Sequence, residues 1–253
     1  MLIPRKIHYI WLGGKPLPPL AEKCLSSWSK FMPDYEIVRW DESNFDFYSC
    51  EYARQALEAK KWAFASDYAR FKILYEQGGV YLDTDVELVQ SLEPILEQGP
   101  YMGLEVDFCG SDNGAAASGL ELAVNSGLGL AANPGLGIYR DIIDSYERDQ
   151  FVREDGSYDL TTVVTRVTSI LRKNGLRDTP GIQEVAGVRI YPCEYFCPKD
   201  PLNLRLNLTE NSYSIHHYDG SWTSRQEKFH KRIASILGPT ATCFVKRMLG
   251  RSG

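Results

Sequence analysis

The sequence predicts a single Rossmann-like α/β domain with a mixed central sheet and helices on both faces, and three observations carry that expectation. The chain has 253 residues, 43% of them hydrophobic, enough to bury one sizeable core without a second domain. Its opening reads as strand, helix, strand, the start of a nucleotide-binding α/β sheet. A further apolar strand near residue 80 runs into two aspartates, and ligands of such sheets bind beyond the carboxyl ends of the strands.

Taken in order, Lys6 to Leu12 reads as the first strand, and Gly13-Gly14 with Pro16, Pro18 and Pro19 as a loop. Leu20, Cys24, Trp28 and Phe31 form the buried stripe of a helix that Pro33-Asp34 ends, and Tyr35 to Trp40 is the second strand. Glu51 to Lys61 is rich in helix formers and serves as scaffold. Ser66 to Gln77 is a helix stopped by Gly78-Gly79, after which the β-prone Val80-Tyr81-Leu82 leads into Asp83-Thr84-Asp85. Leu92 to Leu96 suggests a short helix, Tyr101 to Val106 a strand, and Gly110 to Gly119 a loop rich in Gly, Ala and Ser. Asn125 to Leu130 is a glycine-softened strand followed by the turn Asn133-Pro134-Gly135. Gly137 to Tyr146 and Thr161 to Lys173 are amphipathic helices, and Val188 to Tyr191 and Ser214 to His217 are late strands.

The aspartates point to chemistry. On a strand, residues i and i+2 project to one side, so Asp83 and Asp85 can present two carboxylates together. Two close anions repel unless a cation sits between them, and a hard divalent ion such as Mg²⁺ or Mn²⁺, itself able to hold a diphosphate, answers that need. Asp67 and Arg70, one turn apart on the preceding helix, share a face with Leu74; they read either as a surface ion pair or as an acid and a base aimed at the same site. Trp11, at the carboxyl end of the first strand and followed by two glycines, reads as a core aromatic or as a flat surface for a nucleobase. Alternation puts His216 and His217 on opposite sides of their strand, so at most one joins a site.

The run Ala65-Ser66-Asp67-Tyr68-Ala69-Arg70, then Gly78-Gly79-Val80-Tyr81-Leu82-Asp83-Thr84-Asp85, resembles the core signature of the DxD-motif sugar glycosyltransferases, family 32, of GT-A fold. That family includes initiating α-1,6-mannosyltransferases, bacterial capsular polysaccharide enzymes and, distantly, the glucosylating domains of clostridial toxins. The first strand through Gly14 and the segment His217 to Trp222 resemble the same family, so the likeness spans about residues 3 to 222. The resemblance implies a metal-dependent, retaining transfer of a hexose from a nucleotide sugar, UDP-sugars first and GDP-mannose second, to a glycan acceptor hydroxyl. It implies that Asp83 and Asp85 carry the chemistry, that Asp85 and His217 bind Mn²⁺ or Mg²⁺, and that Trp11, Asp67, Arg70, Tyr81, Asp83, Asn125, Ser221 and Trp222 bind the donor. Members often carry Thr-Gly-Pro where this chain has Leu160-Thr161-Thr162, a departure on the acceptor side.

Other classes compete on the same residues. A nucleotidyltransferase shares the paired carboxylates but needs a further carboxylate and a phosphate-cradling Gly-rich loop, which the sequence lacks. A sugar-nucleotide or glycan-binding module without turnover, or a toxin-like enzyme acting on protein, stands as an alternative on the same motifs. The net charge of −5 excludes a general nucleic-acid binder. Six scattered cysteines fit reduced thiols, Cys193 and Cys197 lack the second pair of a zinc site, and no secretory or membrane-length apolar run is present, so a cytoplasmic location is expected. Charge is uneven: residues 1–224 form the catalytic unit, whereas 225–253 is a basic amphipathic tail of net charge +6, expected to dock on the domain or to rest on an anionic membrane near a lipid-linked acceptor in surface polysaccharide synthesis.

Overall fold

A computed structural model describes residues 3–106, 122–199 and 205–219. Strand β1 (Lys6–Ile10) is followed by helix α1 (Pro19–Phe31), strand β2 (Glu36–Trp40), helices α2 (Glu51–Glu58) and α3 (Trp62–Gln77), and strands β3 (Gly79–Tyr81) and β4 (Val86–Leu88). Then come α4 (Glu93–Leu96), β5 (Tyr101–Val106), β6 (Ala123–Ala132), α5 (Gly137–Glu147), α6 (Val163–Lys173), β7 (Gln183–Val185), β8 (Val188–Tyr191), α7 (Cys193–Phe196) and β9 (Ser214–His216). Seven strands form a mixed sheet in the order β2-β1-β3-β6-β5-β8-β7, and β4 pairs with β9 in a separate antiparallel ribbon. The parallel pairs β1–β2 and β1–β3 confirm the expected β-α-β opening, while β6 runs antiparallel between β3 and β5.

Alternation along the strands fills two cores, one on each face of the sheet. Ile7 and Val80 point toward Trp28 of α1, Ile95 of α4 and Phe196 of α7. Ile10 and Tyr81 point the other way, toward Tyr52 of α2, Phe71 of α3, Ile142 of α5 and Val167 of α6. Helices therefore cover both faces. Among the described residues, no helix is long and apolar enough to cross a membrane.

The sequence and the structure part at the aspartates. A single strand running through Val80 into Asp85 is expected from the sequence, but the chain leaves the main sheet after Tyr81, turns, and enters the ribbon at Val86. The turn is closed by the Val86 amide, which donates to the Asp83 carbonyl at 3.0 Å. The carboxylates of Asp83 and Asp85 are thus brought together by a turn between two sheets rather than by the pleat of one strand. Upstream, Gly78 ends α3 with φ of 67°, and a Cβ there would lie 2.6 Å from Pro134 Cδ and 2.9 Å from the Ala132 carbonyl. Only glycine fits both the left-handed backbone and the contact with the end of β6.

His8 locks this corner. It is fully buried on β1, receives the Trp40 indole N–H on Nδ1 at 3.0 Å, and lies 3.0 Å from the Gly78 carbonyl through Nε2. With Nδ1 accepting, Nε2 carries the proton and donates to Gly78, so the ring is neutral. Burial drives its pKa from 6.5 down to about 4. The stabilisation from neutral His8 is complete above pH 6.5 and is lost as pH falls through about 4, because the unfolded chain takes up its proton first. Relative to His8→Gln, the wild type should lose about 1.4 kcal/mol of stability per pH unit across that window. Urea unfolding midpoints at pH 7.5, 6 and 5 check this, and parallel profiles of the two proteins contradict it.

Candidate active site

The site is built where α3, the turn at residues 83–85, the start of β6 and the end of β9 converge. Helix α3 places Asp67 and Arg70 one turn apart on its buried face, and Arg70 is 4% exposed. The Arg70 guanidinium is the hub. Its Nη2 stands 2.9 Å from Asp67 Oδ1 and 3.4 Å from Asp83 Oδ1, and its Nη1 donates to the Ser126 hydroxyl at 3.1 Å. The Tyr81 ring lies beneath it, 4.9 Å from centroid to Cζ, and the Tyr81 hydroxyl donates to Asp83 Oδ1 at 2.8 Å. The even choice between a surface ion pair and a site pair is thereby decided geometrically: Asp67 and Arg70 are buried against Asp83.

Burial and charge compete at each of these groups. Burial raises Asp67 to about 6, with the nearby Asp83 carboxylate adding to it and Arg70 opposing. Asp83 is likewise raised, burial outweighing Arg70. Burial works against the Arg70 charge, yet Asp83, Tyr81 and Asp67 together more than offset it and hold the guanidinium firmly protonated.

Strand β6 completes this wall. Tyr81 pairs with Leu130, so β6 runs on past the end of β3 and brings Asn125, Ser126 and Gly127 across from the aspartate turn. Asn125 is buried and its Oδ1 accepts the Gly127 amide at 2.7 Å. A Cβ on Gly127 would lie 2.4 Å from Asp83 Oδ2, so only glycine lets that carboxylate sit against the strand. Ser126 and Gly127 lie in the Asn-Ser-Gly stretch visible in the sequence, where only the asparagine stood out as a site residue.

The histidines exchange roles relative to the expectation. His217 was expected beside Asp85, but its Nε2 lies 2.8 Å from Glu87 Oε2, which also holds Lys23 of α1 at 2.7 Å. His216 instead meets the aspartates, its Nε2 3.2 Å from Asp85 Oδ1. The cause is the ribbon register. Val86 is buried and pairs with His216, which puts both on the inner side, while Glu87 and His217 share the outer side. Asp85, being in the turn and not in the strand, is free to swing its carboxylate inward. One ligand atom each from Asp83, Asp85 and His216 lie within 4.8 Å of one another.

This trio fits a divalent metal. His216 is 5% exposed, its Nδ1 has no hydrogen-bond partner among the described residues and its Nε2 has only the 3.2 Å contact with Asp85, an arrangement that costs free energy unless a ligand takes a lone pair. Oxygen and imidazole donors are those that Mn²⁺ and Mg²⁺ accept. Burial pushes Asp85 up, but His216 and the Asp219 amide, which donates to Oδ2 at 2.9 Å, bring it below the usual carboxylate range. His216 moves the other way: burial opposes its charge, and Asp85 with Asp83 outweighs burial and raises its pKa.

Trp11 is held at the end of β1 by its own contacts. Its backbone amide donates to the Trp40 carbonyl at 2.9 Å beyond the end of β1, and its indole N–H donates to the Lys15 carbonyl at 2.6 Å. The ring is half-buried, and the adjacent Gly13 packs on the indole of Trp62, a second aromatic that the sequence reading left out. Ser221, Trp222, the loop 110–119 and the tail 225–253 lie outside the described residues.

Residues 18–102, which contain Asp67, Arg70 and the aspartate turn, match the glycosyltransferase sugar-binding region containing the DXD motif. Through that segment, about a third of its length, the chain is similar to this family. Within the curated proteins, it is 34% identical over 98 residues to inositol phosphoceramide mannosyltransferase 3 of Schizosaccharomyces pombe. The match covers 37% of this chain and 27% of that enzyme, so the chain spans about a quarter of its relative's length. Among solved structures, it is similar to the PaToxG glycosyltransferase, with TM-score 0.48 and 18% identity over 68% of this chain and 69% of that one. It is also similar to the galactosyltransferase LgtC in complex with donor and acceptor sugar analogues, with TM-score 0.42 and 16% identity over 92% and 94% of the two chains.

If Arg70 is the hub of this DXD site, removing its charge leaves Asp67 and Asp83 buried without compensation. Arg70→Met is expected to cost about 3–5 kcal/mol, more than Asp67→Asn, which leaves one acid still paired. Chemical unfolding at pH 7.5 measures both, and equal small losses would contradict the assignment.

Proposed function

We propose that this chain is a divalent-metal-dependent glycosyltransferase that takes a hexose from a nucleoside-diphosphate sugar and passes it to an acceptor hydroxyl. The observation that carries the reading is the convergence of Asp83, Asp85 and His216 on one point beside Arg70, with both aspartates and Arg70 inside the segment that matches the DXD family. Asp83, Asp85 and His216 would hold Mn²⁺ or Mg²⁺, and the ion when bound supplies positive charge to the departing diphosphate.

The protein's own groups do the rest. In the transfer, the bond from the anomeric carbon to the diphosphate oxygen breaks, and the acceptor oxygen forms the new bond as its proton leaves. The Arg70 guanidinium keeps Asp67 and Asp83 ionised and fixed, so that Asp67 can accept hydrogen bonds from sugar hydroxyls. Asn125, buried at the same wall, offers its amide N–H₂ to the sugar while its Oδ1 is taken by Gly127. Trp11 gives the nucleobase a flat apolar surface beyond the end of β1, where ligands of such sheets lie. The reading is one of retention through departure and attack on the same face.

A uridine diphosphate hexose remains the first donor to test. The name of the fungal relative, a mannosyltransferase, supports keeping GDP-mannose beside it. The acceptor is taken to be a glycan, lipid-linked if the basic tail rests on an anionic membrane, with surface polysaccharide synthesis as the setting.

The test is release of nucleoside diphosphate from a panel of UDP- and GDP-sugars with Mn²⁺ or Mg²⁺. Asp85→Asn and His216→Ala are expected to reduce turnover by about 10²-fold or more, His217→Ala far less, and excess chelator should stop the wild type reversibly. Full turnover in chelator, or binding of the donor with no release in any combination, overturns the enzymatic reading in favour of a binding module. Pyrophosphate release would instead mark a nucleotidyltransferase.

A further inference from the structure

The second residue beyond β9 is strained and central. Tyr218 has φ of 54°, a left-handed backbone that a bulky aromatic residue adopts only where its surroundings impose it. Among the described residues, the other non-glycine residues with positive φ, Lys60 and Ala186, lie in ordinary turns, whereas Tyr218 stands two residues past His216, the histidine that faces the aspartates. Three contacts impose its conformation and use it. The Tyr218 hydroxyl lies 2.8 Å from the Sγ of Cys197, a buried residue just past α7. Its ring packs against the His216 imidazole, with centroids 4.2 Å apart and planes at 61°. The turn that it makes returns the chain so that the next amide, Asp219 N–H, donates to Asp85 Oδ2 at 2.9 Å.

Two of these contacts bear on members of the trio, one on His216 and one on Asp85. His216 Nδ1 has no hydrogen-bond partner among the described residues and Nε2 meets only Asp85 at 3.2 Å, so packing helps to fix the ring's orientation, and Tyr218 supplies one side of that packing. Asp85 has one oxygen against His216 and the other held by the Asp219 amide, so its carboxylate plane depends on where the chain goes after Tyr218. The Lys199 ammonium, donating to the His217 carbonyl at 3.2 Å, pins the peptide on the other side of the turn.

Resting on the reading of Asp83, Asp85 and His216 as a metal site, we propose that Tyr218 is a positioning residue for that site. Its ring orients the His216 imidazole, and its left-handed backbone delivers the Asp219 amide to Asp85, so that the donors are set before an ion arrives. Partners that orient ligands in this way carry weight comparable to the ligands, and their loss costs about 10–100-fold in metal affinity.

The experiment is calorimetric titration of the full chain with Mn²⁺, without nucleotide sugar, for wild type, Tyr218→Phe, Tyr218→Ala and Tyr218→Leu. Thermal unfolding identifies the folded variants, and Leu keeps the test alive if Ala does not fold. The Ala and Leu variants are expected to bind Mn²⁺ at least about tenfold more weakly, with Phe close to wild type because it keeps the ring and the backbone. A merely structural role would lower the melting temperature and leave the dissociation constant of the folded protein where it was. Wild-type affinity in Ala or Leu overturns the proposal, as does Phe as weak as Ala. Absence of Mn²⁺ binding in the wild type overturns the metal site itself and the positioning role with it.

Discussion

One buried cation sets the terms for the rest of this molecule. Arg70 is almost wholly enclosed, and it stays charged because two carboxylates, Asp67 and Asp83, lie against it. Neither acid could sit there ionised without it, since an uncompensated charge in such a place costs several kcal/mol. The grouping therefore fixes three elements at once: α3 through residues 67 and 70, the aspartate turn through residue 83, and β6 through Ser126. The aromatic face of Tyr81 closes the guanidinium from below. A site of this kind is rigid before any ligand binds, as a site that positions reacting groups has to be.

The fold supplies that rigidity by changing sheets in mid-motif. Three residues of β3 belong to the seven-stranded sheet and three of β4 to the β4–β9 ribbon, with the aspartates in the gap. The two sheets are tied by α1, whose Trp28 N–H donates to the Val86 carbonyl at 2.8 Å while its Ser27 hydroxyl accepts from the Leu88 amide at 2.9 Å. Each aspartate thus answers to a different sheet, Asp83 to the main sheet through Tyr81 and Asp85 to the ribbon through the His217 amide, which donates to its carbonyl at 3.0 Å. A residue that fixes the ribbon's end, such as Tyr218, acts on Asp85 and His216 without touching the Arg70 cluster.

The legible part of this in the sequence was local. The opening β-α-β unit follows from Gly, Pro and the apolar stripe of α1, and the end of α3 follows from Gly78 and its need for a positive φ. Asp67 and Arg70 were legible as a pair, one turn apart, but spacing alone does not tell a solvated pair from a buried one. The pairing of distant strands was not legible, and this is where the sequence reading differs from the structure. Whether His216 or His217 faces the aspartates depends on β9 lying antiparallel to β4 with His216 opposite Val86, a relation across 130 residues that alternation within one strand cannot supply. Gly127 was similarly hidden: its reason is an oxygen of Asp83, far away in sequence.

The most direct measurement is the position of a metal ion. A crystal of the full chain grown with Mn²⁺ and measured at the manganese absorption edge should show one anomalous peak bounded by the Asp83 and Asp85 carboxylates and a ring nitrogen of His216, with Arg70 still paired to Asp67. A peak between His217 and Glu87 at the outer side of the ribbon, or density for Mn²⁺ nowhere near the aspartate turn, would contradict the account.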